Sequence, residues 1–189
     1  MAIVYRGIFY ISLLFTPLLA QAETNIAGIE LADSHQVSEQ SLRLNGAGIR
    51  SKFFVKVYIG ALYIGETSNS PAAILAAPGA KSMQMTMLYK EVEAEKITQG
   101  WDDGFKANLS DTELKSLEDR LKNFNALFPV LRQGDTVHMD YAPGTGTLLS
   151  INDRQLGHIE GADFFAALLK VWIGEQPVDK NLKKGLLGD

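Results

Sequence analysis

The sequence contains no cysteine. Thiol catalysis, thiolate-held metals and disulfide staples are therefore excluded, and a buried core must hold the fold together. Clusters of basic residues are also missing, which argues against nucleic acid and anionic lipid as partners. Nucleotide fingerprints are absent: there is no P-loop, and Gly46-x-Gly48 is not followed by a helix. No G-x-S-x-G marks a nucleophilic serine. Histidine is scarce, and His35, His138 and His158 are far apart with no i, i+4 partner. His138 and Asp140 share a strand face, as any two polar residues at that spacing would. No metal and no cofactor is expected on motif strength.

The N-terminus has the pattern of a secretory signal peptide over residues 1–22. Arg6 supplies a positive start, Ile8 to Leu19 an apolar core broken by Pro17, and Ala20-Gln21-Ala22 a small-x-small cleavage site. No later stretch approaches the length of a membrane span, so no stable membrane anchor is expected after cleavage. Of 189 residues, 167 then remain, enough for one domain over 23–189 with a real core. Without Arg6 the Lys+Arg total is 17 against 22 Asp+Glu, a net charge of −5. Export without cysteine fits a bacterial periplasm.

Leu42 to Glu66 organises the chain. It reads as two long strands joined by a glycine-containing bend at Gly46-Ala47-Gly48, with Arg50 beside the bend. Short strands are expected before it, over Gly28–Ala32 and Gln36–Arg43. A short helix opens at Pro71 and stops at Pro78-Gly79. Met83, Met85 and Met87 alternate with polar residues in a strand whose apolar face is either plain core or a soft wall for an apolar ligand.

Glu93 to Leu109 is expected to be helical, with Ala94, Ile97, Trp101 and Phe105 inward. Gly100 and Gly104 leave room there for a close neighbour. Ser110-Asp111-Thr112-Glu113 is a capping box opening a second helix. Strands follow over Asp135–Tyr141, Thr147–Ile151 and Arg154–Ile159, the last two a hairpin around Asn152-Asp153. Phe164 to Ile173 is apolar nearly all round and should be buried between layers; a last short helix follows Pro177. The order of elements implies an α+β fold, an antiparallel sheet covered on one face by helices.

The chemistry is thin. Arg50, with Tyr58, Tyr63 and Tyr89 on the neighbouring strands, would suit an oxyanion or carboxylate in an apolar cleft. On a solvated strand face the same arginine would only aid solubility.

GAGIRSKFFVKVYIGALYIGE resembles the opening block of the chalcone isomerase family, in which a glycine-rich turn and an arginine precede a long strand. EKITQGW, which contains Thr98 and Trp101, is similar to the family's helix over the cleft. GADFFAALLKVWIG and the tail after Pro177 are similar to its late helices. The exported bacterial chalcone isomerase-like proteins are the nearest branch. The resemblance implies an open-faced β-sandwich with the cleft arginine at Arg50. It places the family's strand threonine at Tyr58, and its catalytic tyrosine and asparagine near Glu93 and Gly100. The arginine thus matches and the other polar groups do not.

Three functions follow as expectations. The first is a periplasmic, non-catalytic binder of a small apolar or amphipathic molecule, such as a fatty acid, held by Arg50, Tyr58, Tyr63, Tyr89, Thr98 and Trp101. The second is an isomerase or intramolecular lyase acting on a chalcone-like enone, with Arg50 stabilising the enolate. The third is a structural, partner-binding module.

Overall fold

A computed structural model describes residues 24–188. The expected signal peptide, residues 1–22, lies outside the described residues. Among the described residues, eleven strands and five helices occur in the order β1 (Thr24–Ile26), β2 (Ile29–Leu31), β3 (Ser34–Val37), β4 (Gln40–Lys52), β5 (Val55–Ile64), α1 (Pro71–Ala76), β6 (Lys81–Met87), β7 (Glu91–Val92), α2 (Ala94–Asn108), α3 (Asp111–Asn125), β8 (Leu131–Arg132), β9 (Thr136–Ala142), β10 (Gly146–Ile151), β11 (Arg154–Ile159), α4 (Ala162–Ile173) and α5 (Lys180–Leu186). Seven strands form one antiparallel sheet in the order β11-β10-β9-β6-β5-β4-β3. No helix among the described residues is long and apolar enough to cross a membrane.

The α+β class and the one-sided helical layer are as the sequence implies. One face of the sheet carries Tyr58, Leu62, Met83, Met85, Met87, Val137, Met139 and Leu149, and it packs against all five helices. Helix α4 lies in the middle of that layer, with Phe164, Leu168 and Trp172 fully buried, as its all-round apolarity demands. The opposite face holds a smaller core of Leu31, Val37, Leu42, Ile59, Ala61 and Tyr63. There the first strands curl back over the sheet, so that β3 meets β6 and β9, two strands that are not its neighbours in the ladder.

The N-terminal boundaries differ from expectation. Glu23 to Ala27, read as a polar lead-in, supplies β1, which pairs with β2. The single strand expected over Gln36–Arg43 is a turn at Ser38-Glu39 between β3 and β4, with Ser38 at φ 52°. The organising ribbon is present, but its turn is elsewhere. Gly46, Ala47 and Gly48 lie inside β4, paired with Leu62, Ala61 and Gly60, and the chain reverses at Phe53-Phe54.

The glycines serve a different approach from the one the sequence suggested. A Cβ on Gly46 would collide with the Gly185 carbonyl oxygen of α5. One on Gly48 would crowd the Leu182 side chain at 3.3 Å, and one on Gly60 would do so at 3.1 Å. Gly185 itself lies against the backbone of Ala47. Helix and ribbon thus meet backbone to backbone, and the third element that glycine admits is a helix rather than a ligand.

Tyr63 belongs to the small core, where its hydroxyl donates to the Ala32 carbonyl at 2.9 Å. Burial, with a smaller contribution from Asp33, pushes its pKa up to about 12. On the same face the pKa of His138 is pushed down from the usual imidazole value, chiefly by burial.

Two outcomes are expected. Gly46→Ala should lower unfolding free energy by about 1–3 kcal/mol in urea titrations, because neither backbone can yield. The Tyr63 phenol is neutral in the fold up to about pH 12 but ionises near pH 10 when unfolded. Its contribution is therefore complete below pH 10 and falls as pH rises toward 12. Tyr63→Phe should cost about 1 kcal/mol at pH 7 and flatten the stability–pH curve across that alkaline window, read by the same titrations.

Candidate functional site

Along β4, Gly46, Gly48 and Arg50 are spaced by two and share the helical face of the sheet. Helix α5 covers the glycines and begins beside Arg50. Asp179, its N-cap, accepts from Asn181 N at 2.8 Å and Leu182 N at 3.0 Å, and its other oxygen accepts from Ser51 N at 3.0 Å. Directly opposite on β5 is Tyr58, and the register shifts between Arg50 and Ser51. Such irregularities bend a strand and re-aim side chains. The Arg50 guanidinium lies over the Tyr58 ring, 5.5 Å from its centroid.

Tyr58 is fully enclosed. Its hydroxyl accepts from Trp172 Nε1 at 2.8 Å. Burial raises its pKa despite the opposing effects of Arg50 and the Trp172 hydrogen bond, so it stays a phenol at neutral pH. Trp172 packs edge-on against Trp101 of α2, with centroids 5.4 Å apart. Trp101 also meets Phe124 and Phe128.

Between these groups is an inner cavity of about 60 Å³, walled by Arg50, Tyr58, Met85, Met87, Ile97, Trp101, Val171 and Val178 among others. It adjoins an outer cleft of about 520 Å³, with which it shares the wall residues Arg50, Val57, Val92, Lys96 and Gly100. Phe53, Val55, Tyr89 and Glu93 continue the outer wall. A groove of similar size between α2 and α3 is lined mainly by charged side chains, among them Asp102, Lys106 and Glu118, and has no buried unpaired donor aimed at a smaller inner space.

Two donors in the inner wall have no acceptor. Arg50 Nε and Trp101 Nε1 are both buried and make no hydrogen bond, and among the described residues no ion pair involves Arg50. A buried N–H left unpaired costs about 1–3 kcal/mol, and native folds carry few. Both residues belong to the lining of the inner cavity.

The residues named from sequence divide cleanly. Arg50, Tyr58 and Trp101 meet at the inner cavity, and Tyr89 stands on the rim of the outer cleft. Tyr63 is on the opposite face and takes no part. A two-residue spacing would carry Tyr58 to Leu62 on one face, and Tyr63 has the opposite parity. Thr98 does not reach either space; its hydroxyl bonds the Glu95 carbonyl one turn back at 3.2 Å. The methionine strand is both core and wall, since Met85 and Met87 line the cavity. Sequence reasoning missed Val57, Leu131, Val171 and Val178, which come from separate elements and carry no shared local signal. It also missed a half-buried cluster on the other face, where His35, His138 and Asp140 bring one possible ligand atom each to within 4.8 Å of one another. Only the curling back of β3 unites them.

At the turn, Phe53 holds φ 55°, at the first central position of a two-residue connection where glycine is usual. A bulky residue there costs about 1–2 kcal/mol. Phe53 and Phe54 are nonetheless almost entirely exposed, at 90% and 102%.

Residues 23–188 match a family model described as chalcone isomerase-like. No curated protein sequence matches the chain. Among solved structures, the crystal structure of a fatty-acid binding protein from Arabidopsis thaliana superposes with a TM-score of 0.69 at 16% identity, over 88% of this chain and 96% of that one. At that identity the likeness bears on the fold alone.

The two helical glycines of α2 make opposite predictions. A Cβ on Gly100 would meet nothing within 4 Å, whereas one on Gly104 would lie 2.8 Å from Val171 of α4. Gly100→Ala should raise stability by about 1 kcal/mol and Tm by about 2–4 °C. Gly104→Ala should lower both, and calorimetry of the two variants tests the pair.

Proposed function

Because this chain belongs to the chalcone isomerase-like family, we propose that it is a non-catalytic binder of an amphipathic carboxylate, a fatty acid being the model ligand. The observation that carries the reading is the pair of unpaired buried donors, Arg50 Nε and Trp101 Nε1, in one apolar cavity. A carboxylate supplies two acceptor oxygens and the charge that a guanidinium favours. The volumes set its orientation. About 60 Å³ holds on the order of a carboxylate or two waters, far less than an acyl chain. The headgroup therefore enters the inner cavity and the tail lies along Val57, Val92, Val55 and Phe53 in the outer cleft, which is within the usual range of ligand sites.

The structural likeness to a fatty-acid binding protein from Arabidopsis supports the same class of ligand. The exposed Phe53-Phe54 turn beside the cleft extends its apolar wall outward, where a tail would first make contact. We place the protein in the periplasm on the signal-like residues 1–22 and the lack of cysteine.

The isomerase reading is disfavoured by what occupies the matching positions. Gly100 offers no side-chain donor, and the Tyr58 hydroxyl, which accepts from Trp172, is enclosed in the core. Stabilising an enolate needs several donors already aimed at it, and each one lost costs about 10²–10³ in rate.

Titration calorimetry with dodecanoate, against dodecanol as the neutral analogue, tests the proposal. Dodecanoate should bind with one site per chain and dodecanol at least tenfold more weakly. Arg50→Gln should lose about 10- to 100-fold for the acid, as expected of a hydrogen bond to a charged group, with little change for the alcohol. Equal binding of acid and alcohol, or binding indifferent to Arg50, overturns it.

A further inference from the structure

We propose that His35, His138 and Asp140 form a site for a single divalent transition-metal ion of the zinc type, on the face of the sheet opposite the Arg50 cleft. His35 comes from β3; His138 and Asp140 are two apart on β9 and so project from the same face. The curl of the first strands lays β3 across the sheet, bringing together residues separated by 105 positions. His35 Nε2 lies 3.1 and 3.2 Å from the two Asp140 carboxylate oxygens. The His138 ring stands edge-on to that of His35, at 84° and 5.3 Å between centroids. One ligand atom from each residue falls within a sphere where no two are more than 4.8 Å apart, and all three side chains are half-buried.

An ordinary ion pair explains only part of this. It uses His35 and Asp140, and leaves His138 without a hydrogen-bond partner among the described residues, although it is turned toward the same point. A cation at that point gives each imidazole a partner and neutralises the carboxylate. The donor set of two imidazoles and one carboxylate suits zinc and its neighbours in the first transition row. Calcium and magnesium want six or more oxygens and find one carboxylate here. Three protein ligands leave a fourth position open to water or to a small anion. The Tyr63 ring packs against His35 at 5.7 Å and supports its orientation.

Such an ion would clip the folded-over edge to the centre of the sheet, so its signature is stability. Zinc chloride alone, added to untagged, chelator-treated full-length protein, should bind one ion per chain by native mass spectrometry. At a hundredfold excess over Kd it should raise Tm by roughly 5–10 °C, while calcium and magnesium leave it unchanged. His138→Gln and Asp140→Asn should each weaken zinc binding at least tenfold. His158→Ala, at an exposed histidine elsewhere, should not. Cobalt(II) on the unmodified protein provides a readout independent of any variant's folding, since a four-coordinate site gives a strong visible absorption and a hydrated ion does not. A zinc response that survives both substitutions, or no zinc shift and no cobalt band on the unmodified chain, overturns the assignment.

Discussion

Everything at the Arg50 cleft depends on how close α5 can come to the β4–β5 ribbon. That distance is set by backbone against backbone, with Gly46, Gly48 and Gly60 on the sheet and Gly185 on the helix. The helix is also fastened at both ends. Asp179 joins its first turn to Ser51, and the bulged Asn45 donates to the Leu186 carbonyl at 2.7 Å while holding Ser68 through both ends of its amide. The two fastenings coincide with the two register shifts of the ribbon. Irregular backbone on the strand is therefore matched to the helix termini, where unpaired polar groups need partners.

The consequence is a sheet face covered by helix along the glycine row and open beyond the start of α5. Arg50 is the first inward residue past the glycine row, so it is the first side chain not covered by that helix. Its head lies over the Tyr58 ring, an arrangement that keeps a cation tolerable in a partly enclosed place. The neighbours that might have neutralised it are otherwise engaged: Asp179 caps a helix, and Glu91 pairs with Arg132 at 2.9 Å. Among the described residues Arg50 thus makes no ion pair.

The sequence was legible wherever a signal is local. The Met83, Met85, Met87 alternation, the Ser110–Glu113 capping box and the Asn152-Asp153 turn all act within a few residues, and each appears as read. Arg50 stood out for the same reason. What could not be read depends on third partners. Gly46 and Gly48 have identical local meaning whether a turn, a ligand or a helix needs them, and only α5, more than a hundred residues on, decides. The Phe53-Phe54 reversal hid because both residues favour strands, and the conformation they adopt runs against that preference. Tyr63 was misplaced by parity alone: the run from Tyr58 to Ile64 is apolar at nearly every position, so alternation gives no clue to which face each residue takes.

Parity also explains how one sheet carries two unrelated chemistries. On β6 and β9 the inward positions are Met83, Met85, Met87, Val137, Met139 and Tyr141, and the outward ones are Ser82, Gln84, Thr86, Thr136, His138 and Asp140. Residues opposite one another across the two strands keep the same character, with Met83 facing Met139 and Gln84 facing His138. The apolar cavity under the helices and the polar patch beneath β3 are thus the two sides of the same few residues. A slip of one position in that pairing would bury His138 and Asp140 among the helices and expose the methionines, at a cost no compact state could bear. The register that builds the ligand wall is the register that gathers the histidines, so the two sites are fixed by one constraint while sharing no side chain.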